Sequence, residues 1–482
     1  MASVKKNYAY NIFYQILNMI LPLITAPYVA RIIGVDGLGV NTFTYSVVSY
    51  FMMVCILGLN NYGNREVSKN RTNKEIRSRL FSEIYSMQLL FSVLSLIAYL
   101  LFLFSFYPKD YFLYGMISVI YIISSMLDIN WFFFGMENFK ITVTRNCIIR
   151  VLTVILTFII VRSKNDLWKY VLLLSLSTLT TQIVLWFFLN KYVSFRLVSF
   201  KDFAKHIRPN LILFLPILAI SLYEVMDKIM LGSLKGVIQT GYYEAANKIV
   251  KIPQTLFASL GTVMLPRISS MVGISEERVT EYTRDSMQFV MVLAFPIMFG
   301  IMSIAERFVP IFYGAGYEES VTPLIVMSVV LLFSPWKSVL RTQCLIPRGK
   351  DKSYVISVFL GAIINLIINT LLIPKYGAMG AVWGTISAEV IVCIYQTYAV
   401  SKIQSVSTYF SDNWPFAICG VLMYTILTFI IKPLLSNSLS GLILLIISGA
   451  FIYLLIFIIL YRLIKPDRFR HMIISIIPIK KG

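Results

Sequence analysis

Histidine is almost missing from this chain: His206 and His471 stand alone among 482 residues. Both sit in basic segments, where an isolated imidazole reads as a surface residue. The five cysteines are Cys55, Cys147, Cys344, Cys393 and Cys419. They lie in or beside apolar stretches with no paired spacing, which argues against a disulfide framework or a zinc site. Charged residues are only 14% of the chain, and acid is scarcer than base, 23 against 43. Long polar stretches are also lacking. The longest runs over about 60–80, and a stable soluble domain needs about 50 residues or more, so no separate catalytic domain fits. No catalytic residue, metal ligand or cofactor is assigned. The net charge of +20 is spread over short segments between apolar runs. It suits anionic lipid headgroups and gives no reason to expect a nucleic-acid partner.

Apolar sequence fills the rest. The chain is 58% hydrophobic with a mean hydropathy of +0.76. Fourteen apolar runs cover 11–33, 42–59, 81–106, 112–134, 146–161, 168–190, 211–231, 242–265, 286–304, 321–340, 354–373, 378–400, 415–435 and 441–461. Most reach the roughly 20 residues that a helix needs to cross a bilayer core; the edges of 146–161 and 286–304 are soft. The runs lack the two-residue alternation of a barrel, and lipid cannot satisfy an open sheet edge. The fold class expected is an all-α integral membrane protein of about 14 transmembrane helices. The first run follows Lys5 and Lys6 like a signal sequence, but it is too long and has no small-residue cleavage site, so retention is expected. With the N-terminus inside, inner segments hold 31 basic residues and outer segments 10. That excess predicts both termini in the cytoplasm.

The chain repeats itself once. Gly39-Val-Asn-Thr-Phe-Thr opens the second run and Gly241-Tyr-Tyr-Glu-Ala-Ala the eighth, an offset of 202; Gly135-Met-Glu-Asn-Phe-Lys140 and Gly349-Lys-Asp-Lys-Ser-Tyr354 echo at an offset of 214. Two six-helix lobes of like orientation follow, related by a pseudo-two-fold axis along the membrane normal, with a substrate path expected between them. The lobes are placed at 1–195 and 196–402, the second opening on the basic linker. Residues 403–482 supply two further helices and a cytoplasmic tail. Pro22, Pro27, Pro216, Pro253 and Pro296 lie within runs and mark bends. Gly361 and Gly384 read better as sites of close helix packing.

Ionisable groups at membrane depth are costly, so they face a cavity or each other. Asp128 lies near the inner end of the fourth run. Glu224, Asp227 and Lys228 cluster in the seventh. Glu244, Lys248 and Lys251 fall at i, i+4 and i+7 in the eighth, on one helix face. Asn365 and Asn369 share a face of the eleventh run, and Glu389 lies within the twelfth. Glu224 with Lys228, and Glu244 with Lys248, read equally well as intrahelical pairs. Arg31 and Lys228 lie near the outer boundary, within snorkelling reach. Asn365 and Asn369 read equally as interhelical hydrogen bonds. Lys251, about 14 Å from Tyr242 along a helix, is too deep to snorkel. It reads as a cavity cation suited to an anionic substrate such as a phosphate ester; the other reading is a structural pair with Glu389 or Asp227.

Several segments resemble the polysaccharide flippase family of the multidrug/oligosaccharidyl-lipid/polysaccharide exporter superfamily. They are Pro27-Tyr-Val-Ala-Arg31-Ile-Ile-Gly34-Val-Asp-Gly37-Leu-Gly39, Tyr62-Gly-Asn-Arg65-Glu66 and Asp128-Ile-Asn-Trp131-Phe-Phe-Phe-Gly135-Met-Glu137. Gly241-Tyr-Tyr-Glu-Ala-Ala-Asn-Lys248 and Asn365-Leu-Ile-Ile-Asn369-Thr-Leu-Leu-Ile-Pro374-Lys-Tyr-Gly377-Ala-Met-Gly380-Ala complete the set. The resemblance runs across nearly the whole chain. It implies alternating access, an undecaprenyl-diphosphate-linked oligosaccharide repeat unit as substrate, and a bacterial cytoplasmic membrane setting. It further implies coupling to a proton or sodium gradient or to the membrane potential, with a polysaccharide polymerase and glycosyltransferases as pathway partners. Lys251, Lys248, Arg31, Lys228 and Arg341 are the candidates for holding the diphosphate. Asp128, Glu224, Asp227, Glu244, Glu389, Asn365 and Asn369 are the candidates for ion coupling or cavity polarity. One departure stands out: related lipid II flippases carry arginine in the second span, and 42–59 has no basic residue. A cation-coupled drug exporter would want an acidic cavity, against which the lysines count. A membrane-bound polymerase or glycosyltransferase would want clustered carboxylates on a sizeable outer loop, and only Glu318-Glu319 is there.

Overall fold

The computed structural model describes residues 4–196 and 198–464, and no strand occurs among the described residues. The basic tail past residue 464, with His471, lies outside the described residues. Among the described residues, thirteen helical segments are long and apolar enough to cross a membrane. The chain divides into two compact units, 1–241 and 242–482.

The first unit begins with α1 (Val4–Ile56), 53 residues long. A straight helix of that length would run about 80 Å, more than twice the hydrocarbon thickness. Gly34 breaks it, at φ 73° and ψ 178°, a backbone region where a Cβ is strained. The runs 11–33 and 42–59 are the two limbs, so thirteen segments carry fourteen apolar runs. Next come α2 (Leu59–Lys69), α3 (Lys74–Ser105), α4 (Phe112–Met126), α5 (Asn130–Gly135), α6 (Phe139–Ile160) and α7 (Leu167–Leu189). The short α8 (Phe200–Ala204), α9 (Ile207–Glu224) and α10 (Met226–Leu234) follow. Asn73 starts α3 by accepting hydrogen bonds from the amides of Glu75 and Ile76 at 3.0 and 3.1 Å, which satisfies two donors left open by the first turn. Two apolar clusters fill this unit. One gathers Val29, Ile33, Val48, Cys55, Tyr99 and Tyr121; the other is aromatic, with Phe81, Tyr85, Trp131, Phe132 and Phe133.

The glycines that opened two of the repeated runs meet in this unit. A Cβ on Gly39 would lie 1.8 Å from the Val237 carbonyl oxygen, and one on Gly241 would lie 2.2 Å from the Val35 carbonyl oxygen. Only backbone without a side chain allows that approach.

The helix α11 (Val237–Ser269) carries the division between units. The second unit continues with α12 (Glu276–Tyr313), α13 (Val321–Met327), α14 (Val330–Val339), α15 (Asp351–Tyr376) and α16 (Ala378–Ser401). It ends with α17 (Ser407–Ile426), the single turn α18 (Lys432–Leu434) and α19 (Leu439–Ile464). Wider π turns follow α14 at Leu340–Leu345 and α17 at Leu427–Ile431. The tight pairing of α15 with α16 depends on small residues. A Cβ on Gly361 would meet Val392 Cγ2 at 2.5 Å, and one on Gly384 would meet Asn369 Oδ1 at 2.0 Å. Both glycines therefore serve close packing, as the sequence suggested.

Candidate functional site

The fourth apolar run is not one helix. It breaks between α4 and α5, and Asp128 sits in the break. Its Oδ1 accepts from the Asn130 amide at 2.9 Å and from Asn130 Nδ2 at 2.7 Å. Asn130 Nδ2 also donates to Gln182 Oε1 at 3.0 Å, and Arg145 Nη2 donates to Asn130 Oδ1 at 3.0 Å. Gln88 closes the network. Its Nε2 donates to the carbonyls of Ser125 and Asp128 at 3.0 and 2.8 Å, and its Oε1 accepts from Trp131 Nε1 at 3.0 Å. The carbonyls freed by the break are answered by Gln88 from α3 and by Trp186 from α7, whose Nε1 donates to the Leu127 carbonyl at 2.9 Å. Asp128 is held by amide donors, and the groups around it fit a structural bracket better than a cation site.

Arg145 and Arg150 correct a second expectation. The sequence count placed both in an inner segment, but α6 begins at Phe139 and contains them. Arg150 lies about 16 Å into the helix at 1.5 Å per residue. At 100° per residue, Ile141, Ile148, Leu152, Ile155 and Ile159 form one face of α6, and all but Ile141 are well exposed. Asn146, Arg150, Thr153 and Thr157 form the opposite face. Arg150 is exposed on that inner side and within electrostatic range of Tyr45, on the second limb of α1. The polar spacing i, i+4, i+7 and i+11 was the available signal.

His206 is not a surface residue. It is buried, with Nδ1 2.6 Å from the Tyr62 hydroxyl and Nε2 3.0 Å from Glu83 Oε2. Glu83, also buried, takes Arg79 at 2.9 Å and Lys205 at 3.0 Å. This cluster ties α2, α3 and the turn before α9 together.

The seventh run is broken as well: α9 ends at Glu224 and α10 starts at Met226. Glu224 and Lys228 therefore lie on either side of a helix break. Asp227 is fully buried on α10, Lys228 is half-buried, and Glu224 is exposed. Arg31 is exposed on the first limb of α1.

In the second unit, α11 carries Glu244 buried, Lys248 half-buried and Lys251 exposed. Because α11 starts at Val237, Lys251 lies about 21 Å from its start and about 27 Å from its end. Thr255 and Ser259 continue the face of Lys251. Glu389 on α16 is held by Lys337 on α14, Nζ to Oε1 at 2.6 Å, with both side chains largely buried. Lys337 was counted with an inner loop, and the structure places it inside a helix. Arg341 lies in the π turn after α14, its guanidinium 5.6 Å from the Tyr354 ring centroid. Asn365 and Asn369 are fully buried and joined to each other, Nδ2 of Asn369 to Oδ1 of Asn365 at 3.1 Å. That bond is intrahelical. Tyr243 and Thr385 share a hydroxyl hydrogen bond of 2.9 Å. Among the described residues no group of three or more His, Cys, Asp or Glu is placed to hold a metal ion.

Comparison with known proteins now bears on these features. Residues 4–272 match the family described as polysaccharide biosynthesis protein, and residues 229–461 match the family described as lipid II flippase MurJ. A Shigella dysenteriae protein named "Putative O-antigen transporter" is 26% identical over 404 residues, covering 82% of this chain and 100% of that protein. A solved structure of the lipid II flippase MurJ in an inward closed conformation superposes with a TM-score of 0.76 at 16% identity. It covers 95% of this chain and 98% of that one. An inward-facing multidrug resistance MATE family transporter of the MOP superfamily superposes with a TM-score of 0.56 at 13% identity, over 80% of this chain and 96% of that one. At such identities the two structures speak for the fold alone, a multi-pass helical membrane transporter fold. The first family match spans more than half of the chain, and with it this chain belongs to the polysaccharide biosynthesis protein family, among the polysaccharide flippases of the multidrug/oligosaccharidyl-lipid/polysaccharide exporter superfamily.

Proposed function

We propose that the chain flips an undecaprenyl-diphosphate-linked oligosaccharide repeat unit across the bacterial cytoplasmic membrane by alternating access. The unit would serve a capsule, O-antigen or similar surface polysaccharide, with a polymerase and glycosyltransferases acting on either side of the step. The observation that carries this reading is the face of α11. Lys251 is exposed at the middle of a 33-residue membrane-depth helix, with Thr255 and Ser259 continuing its stripe. An ammonium so far from either end cannot reach headgroups and is costly against hydrocarbon, so its face is wet. A wet, cationic surface suits a diphosphate, which an ammonium attracts as a point charge. Lys248, Arg31, Lys228 and Arg341 are the further candidates for that anion, and exposed Arg150 joins them. Asp227, Glu244, Glu389, Asn365, Asn369, Glu224 and Asp128 are the polar groups from which a proton or sodium coupling site would be drawn. Asp128 is the weakest of them, because its Oδ1 already accepts two hydrogen bonds from Asn130.

Purified protein in liposomes should move a lipid-diphosphate oligosaccharide between leaflets without altering it. Lys251→Arg should retain part of the rate. Lys251→Ala and Lys251→Glu should lose about tenfold or more, the loss expected of one charge-assisted contact, while accumulating normally in the membrane. Full transport by well-folded Lys251→Ala would end the diphosphate assignment, and a lengthened or cleaved glycan would end the transport reading.

A further inference from the structure

The apolar side of α6 carries a second feature, separate from the polar face that holds Arg150. It is a groove of about 440 Å³, lined by Lys140, Ile141, Arg145, Ile148, Val184 and Phe188, among others. Apart from Thr144 the wall between its cations is apolar. Lys140 is exposed at the first turn of α6, Arg145 is buried farther along the helix, and Lys191, just past the end of α7, holds its ammonium 6.0 Å from the Phe188 ring. Arg145 is fixed in place by Asn146 Oδ1 at 2.7 Å and Asn130 Oδ1 at 3.0 Å. The groove lies on the face that Ile148, Leu152, Ile155 and Ile159 expose to hydrocarbon.

We propose that this groove binds one anionic membrane phospholipid, its phosphate between Lys140, Arg145 and Lys191 and an acyl chain along Ile141, Ile148 and Val184. Two arguments favour that occupant. The first is charge: Lys140 and Arg145 line the groove and Lys191 lies against its Phe188 wall, and basic residues beside a headgroup layer attract anionic lipid. The second is length. From Lys140 to Ile149 the helix rises about 14 Å, close to half of the roughly 30 Å hydrocarbon thickness. That matches a chain confined to one leaflet and is short for a polyprenyl tail. The site goes beyond the transport reading and does not depend on it. Its position gives the lipid a route to the interior. Arg145 is shared by the groove and by the Asn130–Asp128 bracket that holds the break between α4 and α5, so an occupied groove steadies that break.

Native mass spectrometry of the full chain in detergent tests this directly, using phosphatidylglycerol and phosphatidylcholine of the same acyl chains as probes. Wild-type protein should retain phosphatidylglycerol in preference. Lys140→Gln with Lys191→Gln should weaken that retention by about thirtyfold, taking each headgroup-facing lysine at its usual worth, and both positions are exposed enough to leave folding intact. Ile148→Trp, which fills the slot and keeps the charges, should also release the lipid. Equal retention of the two lipids by wild type, or unchanged retention by the double variant, would overturn the proposal. Displacement of phosphatidylglycerol by a lipid-diphosphate oligosaccharide would overturn it too, by making the groove a substrate site.

Discussion

Single residues were the hardest to read, and Lys337 shows why. It stands at the edge of an apolar run and beside a basic segment, so linear sequence assigns it to a loop. The structure gives it to Glu389 at 2.6 Å, largely out of solvent. Removing one partner of a buried ion pair strands the other, at a cost of about 3–5 kcal/mol. Lys337→Met should therefore lower folded yield and thermal stability in detergent, and Lys337→Met with Glu389→Leu should recover most of both. Equal loss in the single and double variants would mean that the pair is not what stabilises this region. Glu389 already has a lysine partner in Lys337, which weakens the reading of Lys251 as its structural mate. Arg150 was missed for a similar reason: charge counting by segment ignored the helix face on which it falls. His206 was misread because nothing local announces that Tyr62 and Glu83, 144 and 123 residues away, converge on it.

Helices as elements were largely legible, because lipid enforces them and hydropathy reports them. Their interruptions were not. The breaks at Asp128 and Val225 fall inside apolar runs, where hydropathy is blind to backbone direction. Gly34 could be named as a glycine within a family-like segment, yet its turn between two limbs was visible only in three dimensions. Close approach is more predictable. Gly39→Ala and Gly241→Ala each place a methyl against a carbonyl oxygen, and Gly384→Ala places one against Asn369. Each should cost about 1–3 kcal/mol or more, the usual range for overpacking. Gly300→Ala is the control, since a Cβ there meets nothing within 4 Å. Thermal unfolding of the four variants in one detergent would check this; a control as damaged as the others would refute the steric account.

At the scale of the whole molecule, the membrane class, the span number and the family were within reach of the sequence, because all three rest on patterns repeated along the entire chain. Orientation rests on the basic residues. Single cysteines placed in a cysteine-free protein near Arg71, Lys201 and Lys350 should resist an impermeant thiol reagent in intact cells, and those near Lys109, Lys164 and Lys375 should react. Labelling near Lys201 from outside would reverse the arrangement. The contact at Gly39 and Gly241 says something different about the molecule. Val35 and Gly39 touch Gly241 and Val237, and the two pairs share one spacing and one offset of 202. Each half of that contact limits the other: a side chain gained at Gly39 or at Gly241 would push a backbone carbonyl out of its helix, so neither glycine can be traded for a larger residue while its neighbour holds still.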